Sequence, residues 1–276
     1  MEAQALLLFS VFEIKIVPFN FKDNLSMSLS MASIVNDKKI NKYGSQLNLS
    51  LIHGIETLQG IASSDHPVGS RELSRMLDLD ITKVNRMLRT LAYLGLVRQT
   101  PDRKYTSGPG MHVLAAQSLY ATGYIQNAIK PLESLKELGL IVAMGVLWQD
   151  KVTYLYHALP GMDSVDAMGR LSYYPATLSG IGLSLLSELD DDEISHLYEG
   201  KTIEGFDNDY AALLDKINEI RKLGYSRVET TSPTLKSSKT YTLAINVGQP
   251  VYSAIALSGW LPEASTDELV AVLQEK

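Results

Sequence analysis

The chain has 276 residues and no cysteine. That excludes a disulfide framework, a thiolate metal site and a cysteine nucleophile. Positive charge is not in excess: 25 Lys and Arg face 31 Asp and Glu, a net charge of -6, which argues against a protein that coats nucleic acid over its whole surface. Long apolar runs are also lacking. The stretch Leu6 to Val17 is interrupted by Glu13 and Lys15 and has no basic leader. It makes a poor signal peptide and is shorter than the roughly 20 apolar residues needed to span a bilayer. A cytoplasmic protein with no membrane partner is expected. Residues 1–44 read as an N-terminal extension, either a genuine arm or sequence upstream of a start at Met27 or Met31. There is no internal repeat and no low-complexity stretch.

With 45% hydrophobic and 20% charged residues, the chain can bury a real core and is long enough for two modest domains. Its charge is unevenly distributed. Residues 71 to 104 carry eight basic side chains (Arg71, Arg75, Lys83, Arg86, Arg89, Arg98, Arg103, Lys104) against four acidic ones (Glu72, Asp78, Asp80, Asp102), a balance of +4. Residues 121 to 276 carry 12 basic groups against 21 acidic ones, so the C-terminal half is repelled by phosphate. Only the first window is suited to docking on DNA.

That window has the grammar of a winged helix-turn-helix, expected over 45–110. Apolar residues from Leu47 to Leu58 fall largely on a helical period, ending near Gly60 and Ile61. Ser70 is the expected N-cap of a second helix, Arg71 to Leu77. After the compact turn Asp78-Leu79-Asp80, a third helix spans Ile81 to Leu94, with Ile81, Val84, Leu88, Leu91 and Leu94 on one stripe. Val97-Arg98-Gln99, the polar turn Thr100 to Arg103, and Lys104-Tyr105-Thr106 form a small hairpin, or wing.

A recognition helix needs one face packed on its own domain and another that reaches base edges and phosphates. The third helix leaves Thr82, Lys83, Asn85, Arg86 and Arg89 outward. Asn85 and Arg86 suit base readout; Lys83, Arg89 and Arg71 suit phosphate, and Thr82 either role. The wing adds Arg98, Arg103 and Lys104, placed to lie along the backbone or enter the minor groove. Basic residues on an isolated helix are more often a solvated face. Here a tight turn, a following hairpin and segregated charge coincide, which favours double-stranded DNA as partner.

Met111 to Tyr120 reads as an amphipathic connecting helix within 111–122. The remainder, 123–276, is an α+β domain: a helix at 124–137, strands at 141–148 and 152–158, helices at 177–188, 191–199 and 207–223, strands at 240–247 and 251–257, and a helix at 264–274.

The run from Gly69 to Leu79, the segment Val84-Asn85-Arg86-Met87-Leu88-Arg89-Thr90-Leu91 and the step Gly95-Leu96-Val97-Arg98-Gln99 resemble the DNA-binding part of the IclR-type bacterial regulators. Further on, the strand pair around Val142 to His157, Pro175 to Gly180, Leu223-Gly224-Tyr225-Ser226 and Ala254 to Gly259 resemble that family's effector domain in order and spacing. The resemblance runs from Leu49 to about Gly259. It implies a GAF-like effector-binding fold, a winged helix that dimerises, frequent tetramers of two dimers, and an effector that is often a small organic or aromatic acid. Leu178, Ser179 and Ser258 match pocket positions of the family, with Thr177 and Glu229 as neighbours. The chain departs from the family at Val228-Glu229-Thr230-Thr231 and Ser237 to Tyr241, where an acidic cluster and a Gly-Val-x-Cys run are usual. From the residues themselves, a helix beginning near Ser179 would aim free N–H groups at a carboxylate; Thr177 and Ser179 serve equally well as simple helix caps.

The competing reading is a methyltransferase-like enzyme that uses its winged helix only to dimerise. It requires a glycine-rich nucleotide loop after a buried strand. The nearest run, Gly180-Ile181-Gly182, has Leu185 at its third glycine position and reads as helix packing. His53, His66, His112, His157 and His196 show no metal spacing and no catalytic elbow. Asp190 to Glu193 lacks the alternating ligands of a calcium loop and reads as a helix start. No catalytic residue, metal or cofactor is expected.

Overall fold

The computed structural model describes residues 47–168, 173–230 and 239–276. The extension at 1–44 and the departure at Ser237-Ser238 lie outside them. The described residues fall into two compact units that divide between Val113 and Leu114.

The first unit opens with α1 (Leu49–Ala62), whose N-cap Asn48 accepts from Leu51 N–H. Helix α2 (Ser70–Leu77) is capped at Gly69, one residue earlier than expected. Ser70 is already helical. Asp78 takes a left-handed conformation (φ 49°) that ends α2, a geometry Asp tolerates better than most residues. Asp80 then starts α3 (Ile81–Tyr93), its carboxylate accepting from Thr82 N–H at 2.8 Å and Lys83 N–H at 3.1 Å. The tight turn is thus written by two aspartates.

Strands β1 (Val97–Gln99) and β2 (Tyr105–Ser107) pair antiparallel, Val97 opposite Ser107. Val68 bridges to Tyr105 from beside α2. Leu73, Leu77, Val84, Leu88, Leu91, Val97 and Tyr105 share one core. Gly108 closes the hairpin onto the end of α3: a Cβ there would lie 2.3 Å from the Gly95 carbonyl oxygen, so only glycine permits the approach. Helix α4 (Pro109–Thr122) follows, and none of its residues is buried.

The second unit is an antiparallel six-stranded sheet between helices. It comprises α5 (Tyr124–Leu135), β3 (Ile141–Trp148), β4 (Lys151–Ala158), α6 (Ser164–Ala167), β5 (Tyr173–Pro175), a 3-10 turn (Ala176–Leu178), α7 (Gly180–Leu186), α8 (Asp191–Tyr198), α9 (Tyr210–Leu223), β6 (Ser226–Thr230), β7 (Thr240–Val247), β8 (Ser253–Gly259) and α10 (Thr266–Glu275). The strand order is β5-β4-β3-β8-β7-β6.

Alternation along the strands builds two cores. Ala143, Val152, Ala244, Ala254 and Ala256 face α7, α8 and α9. Val142, Met144, Tyr156, Leu243, Ile255 and Leu257 face α5 and α10. The helix expected over 177–188 is divided: the 3-10 turn precedes Ser179, and α7 has only seven residues. Strands β5 and β6 were not expected. Asp190 caps α8 through a reciprocal pair with Glu193, the helix start expected of that acidic run. Among the described residues, no helix is long and apolar enough to cross a membrane.

Candidate nucleic-acid interface and effector face

The inward stripe of α3 is Val84, Met87, Leu88 and Leu91. Ile81 and Leu94, expected inside, are 36% and 58% exposed. At 3.6 residues per turn both lie roughly 70° from the centre of that stripe, and both sit at helix ends where the core narrows.

The opposite face carries the expected set. Thr82, Arg86 and Arg89 are exposed, and Lys83 and Asn85 are half-buried at its margins. Together with Asp80 these five side chains line one concavity. Arg71 on α2 and Arg98 and Arg103 on the wing are also exposed. Among the described residues, Arg71, Lys83, Arg86, Arg89, Arg98 and Arg103 form no ion pair within 4.0 Å. Unpaired exposed cations have no local partner to surrender when they meet phosphate.

Lys104 differs from them. Its ammonium lies 3.9 Å from Asp102, and the Asp102 carboxylate in turn accepts from the Thr100 hydroxyl at 2.5 Å, which holds that carboxyl below its ordinary range. Arg103 occupies the wing tip with φ 61°. The wing therefore presents Arg98 and Arg103 more freely than Lys104.

Behind α3, His53 of α1 is 8% exposed and its Nδ1 has no hydrogen-bond partner. Burial first, and the Lys83 charge second, push its imidazole below the ordinary value. This residue gave no signal in the sequence beyond being a histidine on a helix.

In the second unit, the residues around Ser179 belong to the sheet face covered by α7. Ser179 is buried; its Oγ accepts from Gly182 N–H at 3.1 Å and pairs with the Tyr154 hydroxyl at 3.0 Å. The capping role, one of two open for Ser179, is thus occupied within the chain, and the free N–H groups imagined at this helix start are fewer than supposed. Thr177 is buried in the turn before it.

Leu178 packs toward Gly205. Gly180 lets α7 settle on the sheet: a Cβ there would lie 2.7 Å from Thr242 Cγ2, and its carbonyl accepts from the Ser226 hydroxyl at 2.7 Å. Ser258 is joined to Thr242 by a 2.7 Å hydroxyl pair. Ser179 and Ser258 thus join this face through Tyr154 and Thr242, with Thr177 and Leu178 in the turn that precedes Ser179.

Glu229 does not join them. Its neighbour Val228 packs into the α7-side core, so alternation turns Glu229 to the opposite face. It pairs there with Lys239 at 3.1 Å. Arg227, on that same opposite face, stacks on Tyr241 at 3.8 Å.

The sequence reading missed Tyr154, Ser226 and Thr242, which reach this face only through strand pairing. It also missed the floor. Pairing aligns His157, Ala143, Ala256, Ala244 and Ser226 in one row across five strands, and three alanines in that row keep the sheet surface low. The Gly180-Ile181-Gly182 run is packed, not open: a Cβ on Gly182 would lie 2.2 Å from the Ala176 carbonyl oxygen. Among the described residues, no group of three or more His, Asp or Glu side chains is arranged to hold a metal ion.

Residues 50–101 match the IclR helix-turn-helix domain, which covers α1 to the wing turn. The HTH-type transcriptional regulator KdgR of Escherichia coli (strain K12) is 27% identical over 202 residues, 71% of this chain and 74% of KdgR. Among solved structures, an IclR family transcriptional regulator from Brucella abortus shares the fold with a TM-score of 0.66 at 18% identity, over 89% of this chain and 97% of that one. An IclR homolog complexed with 4-hydroxybenzoate from Microbacterium hydrocarbonoxydans shares it with a TM-score of 0.59 at 16% identity, over 82% and 95% respectively. Residues 50–101 thus carry an IclR helix-turn-helix domain, a helix-covered antiparallel sheet follows it as in the solved IclR-family folds, and the chain as a whole is similar to IclR-type transcription regulators.

Proposed function

We propose that α3 enters the major groove of an operator, with Asn85 and Arg86 reading base edges and Thr82, Lys83, Arg89 and Arg71 holding phosphates, while Arg98, Arg103 and, more weakly, Lys104 lie along the flanking backbone. One observation carries this reading. A recognition helix capped by Asp80 brings three unpaired cations (Lys83, Arg86, Arg89), the Asn85 amide and the Thr82 hydroxyl to line one concavity beside the cap. Arginine's planar fork suits guanine and asparagine's amide suits adenine.

The operator is bound by two copies. No Asp, Glu, Lys or Arg occurs between Lys104 and Lys130, and α4 leaves Val113, Leu114 and Tyr120 at 52%, 55% and 77% exposure. A surface helix with neither charge nor burial calls for a covering partner. A second copy of α4 supplies one, and pairs of such dimers would give the tetramer.

The α7-side face of the sheet, around Ser179, Thr242 and Ser258, takes a small effector that shifts operator affinity. The 4-hydroxybenzoate held by the Microbacterium homolog makes aromatic acids the first class to try. On this reading the chain is a cytoplasmic regulator, not a methyltransferase-like enzyme.

The test is fluorescence anisotropy with DNA from upstream of the protein's own gene and with scrambled DNA, at two salt concentrations, with and without 4-hydroxybenzoate and related acids. Salt-sensitive binding that prefers the upstream DNA is expected. Absence of binding to either DNA at low salt would overturn the reading.

A further inference from the structure

Resting on the reading of the α7-side face as the effector site, we infer that the Tyr124–Ser253 contact carries the state of that site to the connecting helix. Strand β8 lies in the middle of the sheet, between β3 and β7. On one face it presents Ala254, Ala256 and Ser258 toward the effector side; on the other it presents Ser253, Ile255 and Leu257. Ser253 is 1% exposed.

Against Ser253 stands Tyr124, the first residue of α5. Burial pushes the Tyr124 phenol above its ordinary value, and the adjacent Ser253 hydroxyl moderates the rise. The serine hydroxyl is close enough to act on the phenol, and both hydroxyls are buried without a well-formed hydrogen bond among the described residues. Buried hydroxyls left unpaired pay their full desolvation cost, so completing a bond between these two is favourable. A small rotation of the first turn of α5 against β8 makes the bond or breaks it, which is the property a two-state element needs.

The chain gives that rotation a consequence. Immediately before Tyr124, Gly123 takes φ 63°, and before it runs α4, whose first residues follow directly from the winged helix. Ser253 and Ser258 are five residues apart, about 16 Å along an extended strand at about 3.3 Å per residue. A strand bonded on both sides moves as a unit over that length. A ligand pressing on Ala256 and Ser258 thus displaces Ser253 beneath Tyr124, and the start of α5 follows.

A double-mutant cycle tests this without any ligand. Ser258→Phe fills the effector face, and operator Kd is measured for wild type, Ser258→Phe, Tyr124→Phe and the double variant, with Tm and circular dichroism for each. Where Ser258→Phe does not fold, the smaller Ala256→Val takes its place. Sites this far apart ordinarily act additively. The expected result is a change of about fivefold or more in operator Kd on filling the face in the Tyr124 background, falling to about twofold or less in the Tyr124→Phe background.

An equal fold-change in both backgrounds overturns the relay, including the case where Tyr124→Phe merely lowers Tm. If neither filling substitution alters operator affinity in the Tyr124 background, the effector reading of this face fails and the relay falls with it, a pattern distinct from failure of the relay alone.

Discussion

Replacing Ser179 by alanine separates its structural role from a ligand role. The Ser179 side chain caps α7 through Gly182 N–H at 3.1 Å and meets the Tyr154 hydroxyl at 3.0 Å, in a site where Ser179 is 3% exposed. Losing the cap costs about 1 kcal/mol, within a range of about 0.5–2. Leaving the Tyr154 hydroxyl without its partner adds about 1–3 kcal/mol. Because both losses fall on one atom they are not strictly additive, and Ser179→Ala is expected to destabilise the second unit by about 2–4 kcal/mol. For a domain of that size each kcal/mol lowers Tm by about 2–4 °C, so calorimetry should show a fall of roughly 4–16 °C. Tyr154→Phe removes the other partner, and the double variant should melt above the temperature expected from adding the two single losses, since no hydroxyl is then stranded. If Ser179→Ala melts with wild type while abolishing the response to every effector that acts on wild type, the hydroxyl serves a ligand and the capping account is wrong.

Gly182→Ala should be more damaging still, because the new Cβ would lie 2.2 Å from the backbone oxygen of Ala176; a loss of about 3 kcal/mol or more, or failure to accumulate as folded protein, is expected, and a wild-type melting temperature would contradict the close packing of that turn. The imidazole of His53 is held below its ordinary value by burial and then by Lys83, so the folded state binds fewer protons than the unfolded one. Stability from this group is complete above about pH 6.5 and falls as pH drops below it. His66 titrates with the opposite sign, since Asp65 and then Glu72 hold it up; the experiment is therefore run in a His66→Gln background, where His53→Leu should flatten the decline in Tm between about pH 7.5 and 5.5, and an unchanged slope would rule out His53 as its source. Leu114→Glu on the uncharged α4 should shift sedimentation toward monomer and weaken operator binding, whereas an unaltered sedimentation coefficient would place the self-association surface elsewhere.

The winged helix was legible because its signals are local. Aspartates at 78 and 80 stop one helix and start the next, a hydrophobic period sets the inward face of α3, and glycine and proline punctuate the wing. The errors at Ile81 and Leu94 arose where a period continues past the end of the core it packs on, which a stripe of apolar letters does not show.

The proposed effector face was harder for a physical reason. Tyr154, Ser179, Ser226, Thr242 and Ser258 come from four strands and one turn, and only strand register brings them together. Register also decides the face of Glu229: a shift of one residue along β6 exchanges the faces, and Val228 is the residue that points to α7. Strand β6 itself escaped notice because serine, arginine, glutamate and threonine outnumber its single apolar residue. Ser226 is nevertheless fully buried, satisfied by the Gly180 carbonyl.

The account's central claim is that α3 reads sequence and does not merely adhere to DNA. Anisotropy titrations of Arg86→Ala and Lys83→Ala on the upstream and scrambled DNA, across a salt series, test it most directly. Arg86→Ala is predicted to lose about 1–3 kcal/mol on the upstream DNA together with its preference over scrambled DNA, while Lys83→Ala weakens both DNAs alike and lowers the salt slope by about one. If Arg86→Ala weakens both DNAs equally and leaves the preference intact, this arginine holds phosphate, and base readout by the outward face of α3 is contradicted.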